Sequence, residues 1–176
     1  LKTTEKYISN GMDSLIEKMP DFSKYGRIRI VACGSATHAG LVGKQMIEKY
    51  ANVEVRVDTA SEFRYGNYRI DENTLCIFVS QSGETADTLA ALKLSKENEA
   101  QTLSVTNVLG SSLARLSDYV LYTCAGPEIA VASTKAYTTQ LVLLACLCLK
   151  LASLFNKDVA CKNHMINQLK QMPKVV

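Results

Sequence analysis

Short apolar runs recur along the chain, and helical patterns separate them. Each run is rich in Val, Ile and Leu, as in strands that are buried on both faces of a sheet. Such strands alternating with helices are typical of βαβ units and a parallel sheet. The pattern predicts five strands, at Arg27–Ala32, Val53–Asp58, Thr74–Val79, Gln101–Thr106 and Tyr119–Cys124.

The helix after the first strand has the clearest periodicity. Its apolar or small residues are spaced to share one helix face: Ala39, Val42, Gly43, Met46, Ile47 and Tyr50. We expect Gly40 and Gly43 to let this helix approach the sheet closely. The helix after the third strand repeats the pattern with Ala86, Leu89, Ala90 and Leu94.

Two further helices are predicted at the ends of the chain. An amphipathic lead-in helix covers Thr4–Met19 and ends at Pro20. The last helix runs from about Ser133 to Phe155 and is apolar nearly all round. We therefore expect it to be buried, against the sheet or against another chain.

These elements predict an α/β fold, a three-layer sandwich in which a five-stranded parallel sheet of order 2-1-3-4-5 is flanked by helices. With no internal repeat or second boundary in the sequence, we predict a single domain over 1–176. Its parts are a lead-in helix at 1–26, an α/β core at 27–155 and a C-terminal tail at 156–176. The chain starts at Leu1 without Met or a signal-peptide pattern, which suggests a piece of a longer protein.

Composition excludes several function classes. The chain has 176 residues, 47% of them hydrophobic and 21% charged, which indicates an ordinary globular domain and excludes disorder. The net charge of +3, with no basic stripe, favours no nucleic-acid partner. The longest uncharged run, Ala136 to Leu149, is shorter than the ~20 residues that span a bilayer, so we expect no membrane partner.

The six cysteines indicate neither a disulfide framework nor a metal site. Cys76, Cys146 and Cys148 lie in apolar segments, where cysteine behaves as a small hydrophobe. There is no C-x-x-C motif, and the two histidines, His38 and His164, are far apart. We expect a reduced, cytoplasmic compartment, no metal and no other cofactor.

Candidate chemistry lies in three loops at the ends of strands. In open α/β sheets, ligands bind at the carboxyl ends of strands, where neighbouring connections leave for opposite faces. Cys33–Thr37 follows the first strand and Ser80–Thr85 the third, and order 2-1-3-4-5 makes these loops face one another. The third loop runs from Gly126 to Lys135, at the start of the last helix.

The loop after the third strand carries Ser80, Ser82, Gly83 and Thr85 between a strand and a helix. Hydroxyls donate to phosphate oxygens, and a helix N-terminus favours an anion. The alternative is that Ser80 or Ser82 is an ordinary helix N-cap. The pattern leaves both interpretations open, and it matches neither the P-loop nor the dinucleotide-binding fingerprint.

No catalytic group stands out near these loops. Cys33 precedes His38 by five residues, but a strand-to-helix turn does not ensure thiol–imidazole contact, so we favour a small buried Cys and a partly exposed His. Lys135 could bind phosphate or form an imine, although a solvated Lys is commoner. The nearest carboxylates are Glu84, Asp87 and Glu128, which form no evident acid/base pair. Glu84 would repel a phosphate unless it points away.

The chain resembles the sugar isomerase (SIS) family, and within it the first SIS subdomain of isomerising aminotransferases. The resemblance covers essentially the whole chain. The matching stretches are Ala32–Gly34 with His38–Gly40, Ser61–Tyr65, Ser80–Leu89, Gly110–Leu113 and Val131–Ala136.

The resemblance implies a hexose 6-phosphate, fructose 6-phosphate or glucosamine 6-phosphate, as the ligand. In the family the hydroxyl loop holds the phosphate, and here it corresponds to Ser80, Gln81, Ser82 and Thr85. The first loop contributes Ser35, whereas Ala36 stands where many relatives have a second hydroxyl. Val131 and Ser133, before the last helix, belong to the sugar site.

The resemblance also implies an activity that this chain performs only in part. The full enzyme uses ammonia from glutamine to make glucosamine 6-phosphate from fructose 6-phosphate. Its glutaminase domain, its second SIS copy with a catalytic Glu and His, and its C-terminal catalytic Lys are not in this sequence. We therefore expect no catalytic residues here, and binding without turnover.

Two alternatives remain at this point. One is a stand-alone sugar-phosphate isomerase whose site is completed across subunits, and the other is a phosphosugar sensor. In each case we expect a homo-oligomer or a pairing with a second SIS subdomain.

Overall fold

The computed structural model describes residues 15, 19–128, 133–155, 163–169 and 171. Its centre is one parallel sheet with the order β2-β1-β3-β4-β5. The strands are β1 Arg27–Ala32, β2 Val55–Thr59, β3 Thr74–Ser80, β4 Gln101–Thr106 and β5 Tyr119–Tyr122. The predicted fold class and strand order are confirmed, with strand ends that differ from the prediction by no more than two residues.

Helices cover both faces of this sheet. They are α1 Ser35–Ala51, α2 Ala60–Phe63, α3 Ala86–Glu97, α4 Ser112–Leu116 and α5 Lys135–Phe155. Residues 163–169 are also helical, and Met165 and Leu169 in this segment are buried in the core. The predicted lead-in helix lies, apart from Leu15 and Met19, outside the described residues.

Alternate side chains of β1 and β3 enter two separate cores. Ile30 of β1 and Ile77 of β3 point to the face that α1 and α5 cover. Val31 and Phe78, one position further along, point to the opposite face, where α2, α3 and α4 pack. This alternation is the period of two that an extended strand imposes on its side chains. Because side chains on both faces are buried, apolar residues follow one another along these strands in the sequence.

Two glycines allow α1 to pack closely on two different neighbours. A Cβ atom at Gly40 would lie 2.9 Å from Ile30 Cγ2 of the sheet. A Cβ atom at Gly43 would lie 3.1 Å from Leu144 Cδ1 of α5. The expectation of a close approach to the sheet is therefore correct for Gly40, whereas Gly43 serves the contact between the two helices.

The buried faces of α1 and α3 are rotated from the predicted ones. Val42, expected inside, is 37% exposed, because the small residues of α1 form the face that fits between the sheet and α5. In α3 the fully buried positions include Thr88 and Ala91, and Leu89 and Leu94 lie at the edge of the core. The apolar periodicity predicted both helices correctly. It did not predict their buried faces, because small and hydroxyl residues make the closest contacts there.

Helix α5 packs against α1 and the sheet of the same chain. The sequence had left open whether the sheet or another chain would bury it. By length and composition alone it could cross a membrane, and it is the one such helix among the described residues. In this fold, 67% of its most apolar window is buried inside the protein. Burial in the core accounts for its apolar surface.

Candidate functional site

The candidate site lies where β1 and β3 run side by side in the middle of the sheet. Helix α1 leaves β1 toward one face, and α3 leaves β3 toward the other, so a crevice opens between the two loops. A cavity of about 260 Å³ occupies this crevice. Six of the seven predicted site residues line it: Ser35, Ser80, Gln81, Ser82, Thr85 and Ser133. Val131 lies outside the described residues.

Two of the helices that start at the cavity, α1 and α3, lack a side-chain cap. Gly34 is the N-cap of α1, with φ +58°, and Thr85 is the N-cap of α3. At neither cap does a side chain accept a hydrogen bond from the first-turn N–H groups. Two uncapped helix N-termini therefore converge on one crevice, and the partial positive charge of each favours an anion there.

The loop hydroxyls are organised by bonds within the loop. Ser80 Oγ accepts a hydrogen bond from the Gly83 N–H at 3.1 Å and lies 3.3 Å from Thr85 Oγ1. Ser82 Oγ accepts from the Glu84 N–H at 3.2 Å. Neither serine caps α3, so the interpretation of Ser80 or Ser82 as an ordinary N-cap is wrong. Since Ser82 only accepts in this contact, its O–H remains available to donate to a ligand.

Backbone contacts hold the same loop against the end of β4. The Gln81 carbonyl accepts from the Asn107 N–H at 3.1 Å, and the Gly83 carbonyl accepts from the Leu113 N–H at 3.0 Å. Gly83 has φ +67°, a conformation that favours glycine. The shape of the loop is therefore set before any ligand enters.

Glu84 is directed away from the cavity. Its Oε1 accepts a hydrogen bond from the Ser112 N–H at 2.7 Å, at the start of α4. This bond holds the pKa of the Glu84 carboxyl below its ordinary value. The repulsion that a phosphate would meet from an inward-facing carboxylate is thereby avoided. Asp87 is also engaged elsewhere, with Arg64 Nη1 at 3.0 Å.

Another part of the cavity lining is formed by Glu128 and the first turns of α5. Glu128 lines the cavity, and its Oε2 accepts from the Ala136 N–H at 3.1 Å. Gln140, one turn further along, also lines the cavity and is 2% exposed. Its Oε1 atom is buried without a hydrogen-bond partner. Gln140 was not among the predicted site residues, although a lone glutamine near the start of an apolar helix is a detectable signal in the sequence.

The remaining candidates have minor places at the site. Cys33 lines the cavity with its Sγ 3.6 Å from Thr88 Oγ1, and His38 is exposed on α1. Cys33 is therefore half-buried, not fully buried as expected, because it faces the cavity, whereas the histidine is on the surface as expected. Ala36 lines the cavity through a methyl group, and Lys135 is exposed at the start of α5.

Comparison with known proteins assigns the family. The family model described as "SIS domain" matches residues 21–150, which include the whole sheet and the hydroxyl loop. The chain belongs to the SIS family. This SIS domain also shares the five-stranded order and flanking helices of solved SIS structures.

The most informative relatives carry one name, "Glutamine--fructose-6-phosphate aminotransferase [isomerizing]". The protein from Clostridium tetani is 58% identical over 141 residues, which are 80% of this chain and 23% of that protein. The protein from Caldanaerobacter subterraneus subsp. tengcongensis is 51% identical over 166 residues, 94% of this chain and 27% of that protein. The SIS domain thus spans about a quarter of the length of these relatives.

Solved structures agree with this assignment. The C-terminal domain of glucosamine-fructose-6-phosphate aminotransferase from Francisella tularensis matches 98% of this chain with a TM-score of 0.82 and 38% identity. The match covers 52% of that chain. An E. coli protein solved in complex with a ligand has the same fold, with a TM-score of 0.75 at 21% identity. There the match covers 89% of the neighbour.

Proposed function

We propose that this SIS domain binds a hexose 6-phosphate as the first SIS subdomain of a glutamine–fructose-6-phosphate aminotransferase. In that role it belongs to the isomerase unit, which makes glucosamine 6-phosphate from fructose 6-phosphate and glutamine. The names of relatives at 58% and 51% identity support the assignment. The observation that carries it is the convergence of two uncapped helix N-termini and a hydroxyl loop on one small cavity.

The proposed phosphate position lies between the two helix N-termini. There, free backbone N–H groups of α1 and α3 and the hydroxyls of Ser35, Ser82 and Thr85 are the donors that phosphate oxygens require. A cavity of about 260 Å³ suits a monosaccharide phosphate better than a nucleotide, since pockets for drug-sized ligands start at roughly 300 Å³.

We propose that catalytic groups come from other parts of the protein. An aldose–ketose shift needs a base to move a proton between carbons and an acid for ring opening. Among the described lining residues the one carboxylate is Glu128, and the α5 N-terminus already occupies its Oε2. The domain then binds and orients the sugar phosphate in the cytoplasm, next to a second SIS subdomain or another copy of the chain.

Exposed apolar residues beside the cavity are consistent with such a neighbour. Leu109 is 75% exposed and Val108 is 42% exposed, in the loop after β4 that also contacts Gln81. Large exposed apolar groups next to a site are typical of surfaces that pack against another protein.

Calorimetry tests the proposed binding. We expect fructose 6-phosphate and glucosamine 6-phosphate to bind, with unphosphorylated fructose undetectable and inorganic phosphate weaker. Ser82→Ala should weaken hexose 6-phosphate binding by roughly 10-fold or more, because a hydrogen bond to a charged group is lost. Ser153→Ala is the matched control, because Ser153 lies at the far end of α5 and is exposed. Absence of binding at millimolar hexose 6-phosphate would contradict the proposal.

The stand-alone isomerase is the second candidate, and the E. coli neighbour favours it. That neighbour has this fold over nearly its whole chain. An enzyme assay distinguishes the stand-alone isomerase from the binding subdomain. The purified domain is incubated with fructose 6-phosphate, and glucose 6-phosphate is then measured. Turnover that Ser82→Ala abolishes would favour the isomerase, and binding without turnover favours the subdomain.

A further inference from the structure

Gln140 is the polar group of the cavity that the fold itself does not explain. Among the described residues, three buried side-chain atoms lack a hydrogen-bond partner: Thr37 Oγ1, Ser104 Oγ and Gln140 Oε1. Gln140 is the one of these three that lines the cavity. The residue is 2% exposed, so bulk water does not satisfy its amide oxygen. An unpaired buried acceptor destabilises a protein and calls for a partner.

The neighbours of Gln140 show that α5 does not need an amide there for packing. Thr139, also 2% exposed, satisfies its hydroxyl within the helix by donating to the Ala136 carbonyl at 2.9 Å. Val142 and Leu143, two and three positions further along, are buried apolar side chains of the α1–α5 core. A methionine would fill the volume of Gln140 without leaving an unpaired acceptor.

The cavity lining comes from two parts of the chain, the hydroxyl loop after β3 and the first turns of α5 with the segment before them. Ser82 and Thr85 lie on the strand side, where the helix N-termini are. Glu128, Ser133 and Gln140 lie on the α5 side. A phosphate dianion carries acceptors only, so it matches the strand side and cannot satisfy Gln140 Oε1. The hydroxyls of a sugar can donate to it.

We propose that Gln140 is a specificity-determining residue of this site, whose Oε1 accepts a hydrogen bond from a sugar hydroxyl. The inference rests on the proposed function, since it needs a phosphosugar in the cavity. Gln140 then distinguishes a polyhydroxylated phosphate ester from other phosphate esters. The hydroxyl loop binds the phosphate, and Gln140 recognises the sugar through one of its hydroxyls.

The test compares two ligands that share a phosphate and differ in hydroxyls. Fructose 6-phosphate and n-butyl phosphate are titrated at pH 8, where a phosphate monoester with a second pKa of about 6 is dianionic. We expect Gln140→Met to weaken fructose 6-phosphate binding roughly 10-fold and to change butyl phosphate affinity less than about twofold. The Tm of the ligand-free variant should equal or exceed that of the unmodified protein.

Two controls separate this inference from a structural role and from the phosphate site. Thr139→Val removes a buried hydroxyl next to Gln140 and should leave the preference between the two ligands unchanged. Ser82→Ala should weaken both ligands together. Two results for Gln140→Met would overturn the role of Gln140 and leave the phosphate loop intact. One is a lowered Tm with an unchanged preference for fructose 6-phosphate over butyl phosphate, and the other is an equal loss of affinity for both ligands. Failure of the unmodified protein to bind either ligand would overturn the proposed function, and this inference with it.

Discussion

Gly83 illustrates how a single residue determines the shape of the candidate site. A Cβ atom there would overlap Ser111 Oγ and lie 2.8 Å from Thr106 Oγ1. The backbone is also in the left-handed region, with φ +67°. The hydroxyl loop can therefore sit against β4 only because this position has no side chain.

We expect Gly83→Ala to destabilise the protein and to weaken fructose 6-phosphate binding. The positive φ costs roughly 1–2 kcal/mol for a residue with a Cβ, and the overlap with Ser111 adds to it. Gly110→Ala is the matched control, because Gly110 has φ +69° but its Cβ would meet nothing within 4 Å. Urea unfolding gives the free energies. Equal losses of stability for the two variants would show that the contact with Ser111 has no effect.

At the scale of elements, one carboxylate joins a helix and two strands at the amino end of the sheet. Asp118, just before β5, accepts from the Thr102 N–H of β4 at 2.9 Å and from Lys96 Nζ near the end of α3 at 2.6 Å. Burial alone would raise the pKa of Asp118, but the bonds from Lys96 and Thr102 outweigh it and lower the pKa below its ordinary value. The charged form therefore stabilises the folded state.

This lowered pKa predicts a contribution to acid sensitivity. The stabilisation by Asp118 is fully present above the ordinary Asp pKa of about 3.9 and is lost as pH falls through the lower native value. We expect Asp118→Asn to be less stable than the unmodified protein at pH 7, and the difference to shrink toward pH 3. Urea midpoints across this range measure it, with exposed Glu97→Gln as control. A constant difference at all pH values would contradict the assignment.

At the scale of the whole molecule, the two cores share one sheet. Cys76 of β3 lies in the core under α3, and Cys146, a residue of α5, lies in the other core, on the opposite face of the sheet. Burial raises the pKa of the Cys76 thiol to about 11 and that of Cys146 to about 12. Because the thiolate is the reactive form, both thiols should resist alkylation in the folded protein.

These two cysteines report whether the chain unfolds as one domain. Because β1 and β3 contribute to both cores, we expect Cys76 and Cys146 to become reactive at the same urea concentration. Pulse alkylation with mass spectrometry measures each site separately, and the partly exposed Cys33 should react before unfolding. Two separate midpoints for Cys76 and Cys146 would contradict the single domain over 1–176.

The sequence by itself determined where the strands and the loops at their ends lie, and the expected order 2-1-3-4-5, once confirmed, made two of these loops face each other. Buried parallel strands must be apolar on both faces, so their positions are readable, and a switch point follows from the order 2-1-3-4-5. Hydroxyls and glycine at one strand end identified the loop of Ser80–Thr85. The strands and this loop are local in the chain, which is why a pattern shows them.

Only the tertiary structure decided which groups face the cavity and which do not. Glu84 is next to the hydroxyl loop in sequence but turns to α4, whereas Gln140 is distant in sequence and lines the cavity. Gly43 faces α5 and Val42 faces out, because the packing of α1 depends on both the sheet and α5. Where a side chain points and which residue it contacts depend on distant segments of the chain. The periodicity of one segment therefore cannot predict them.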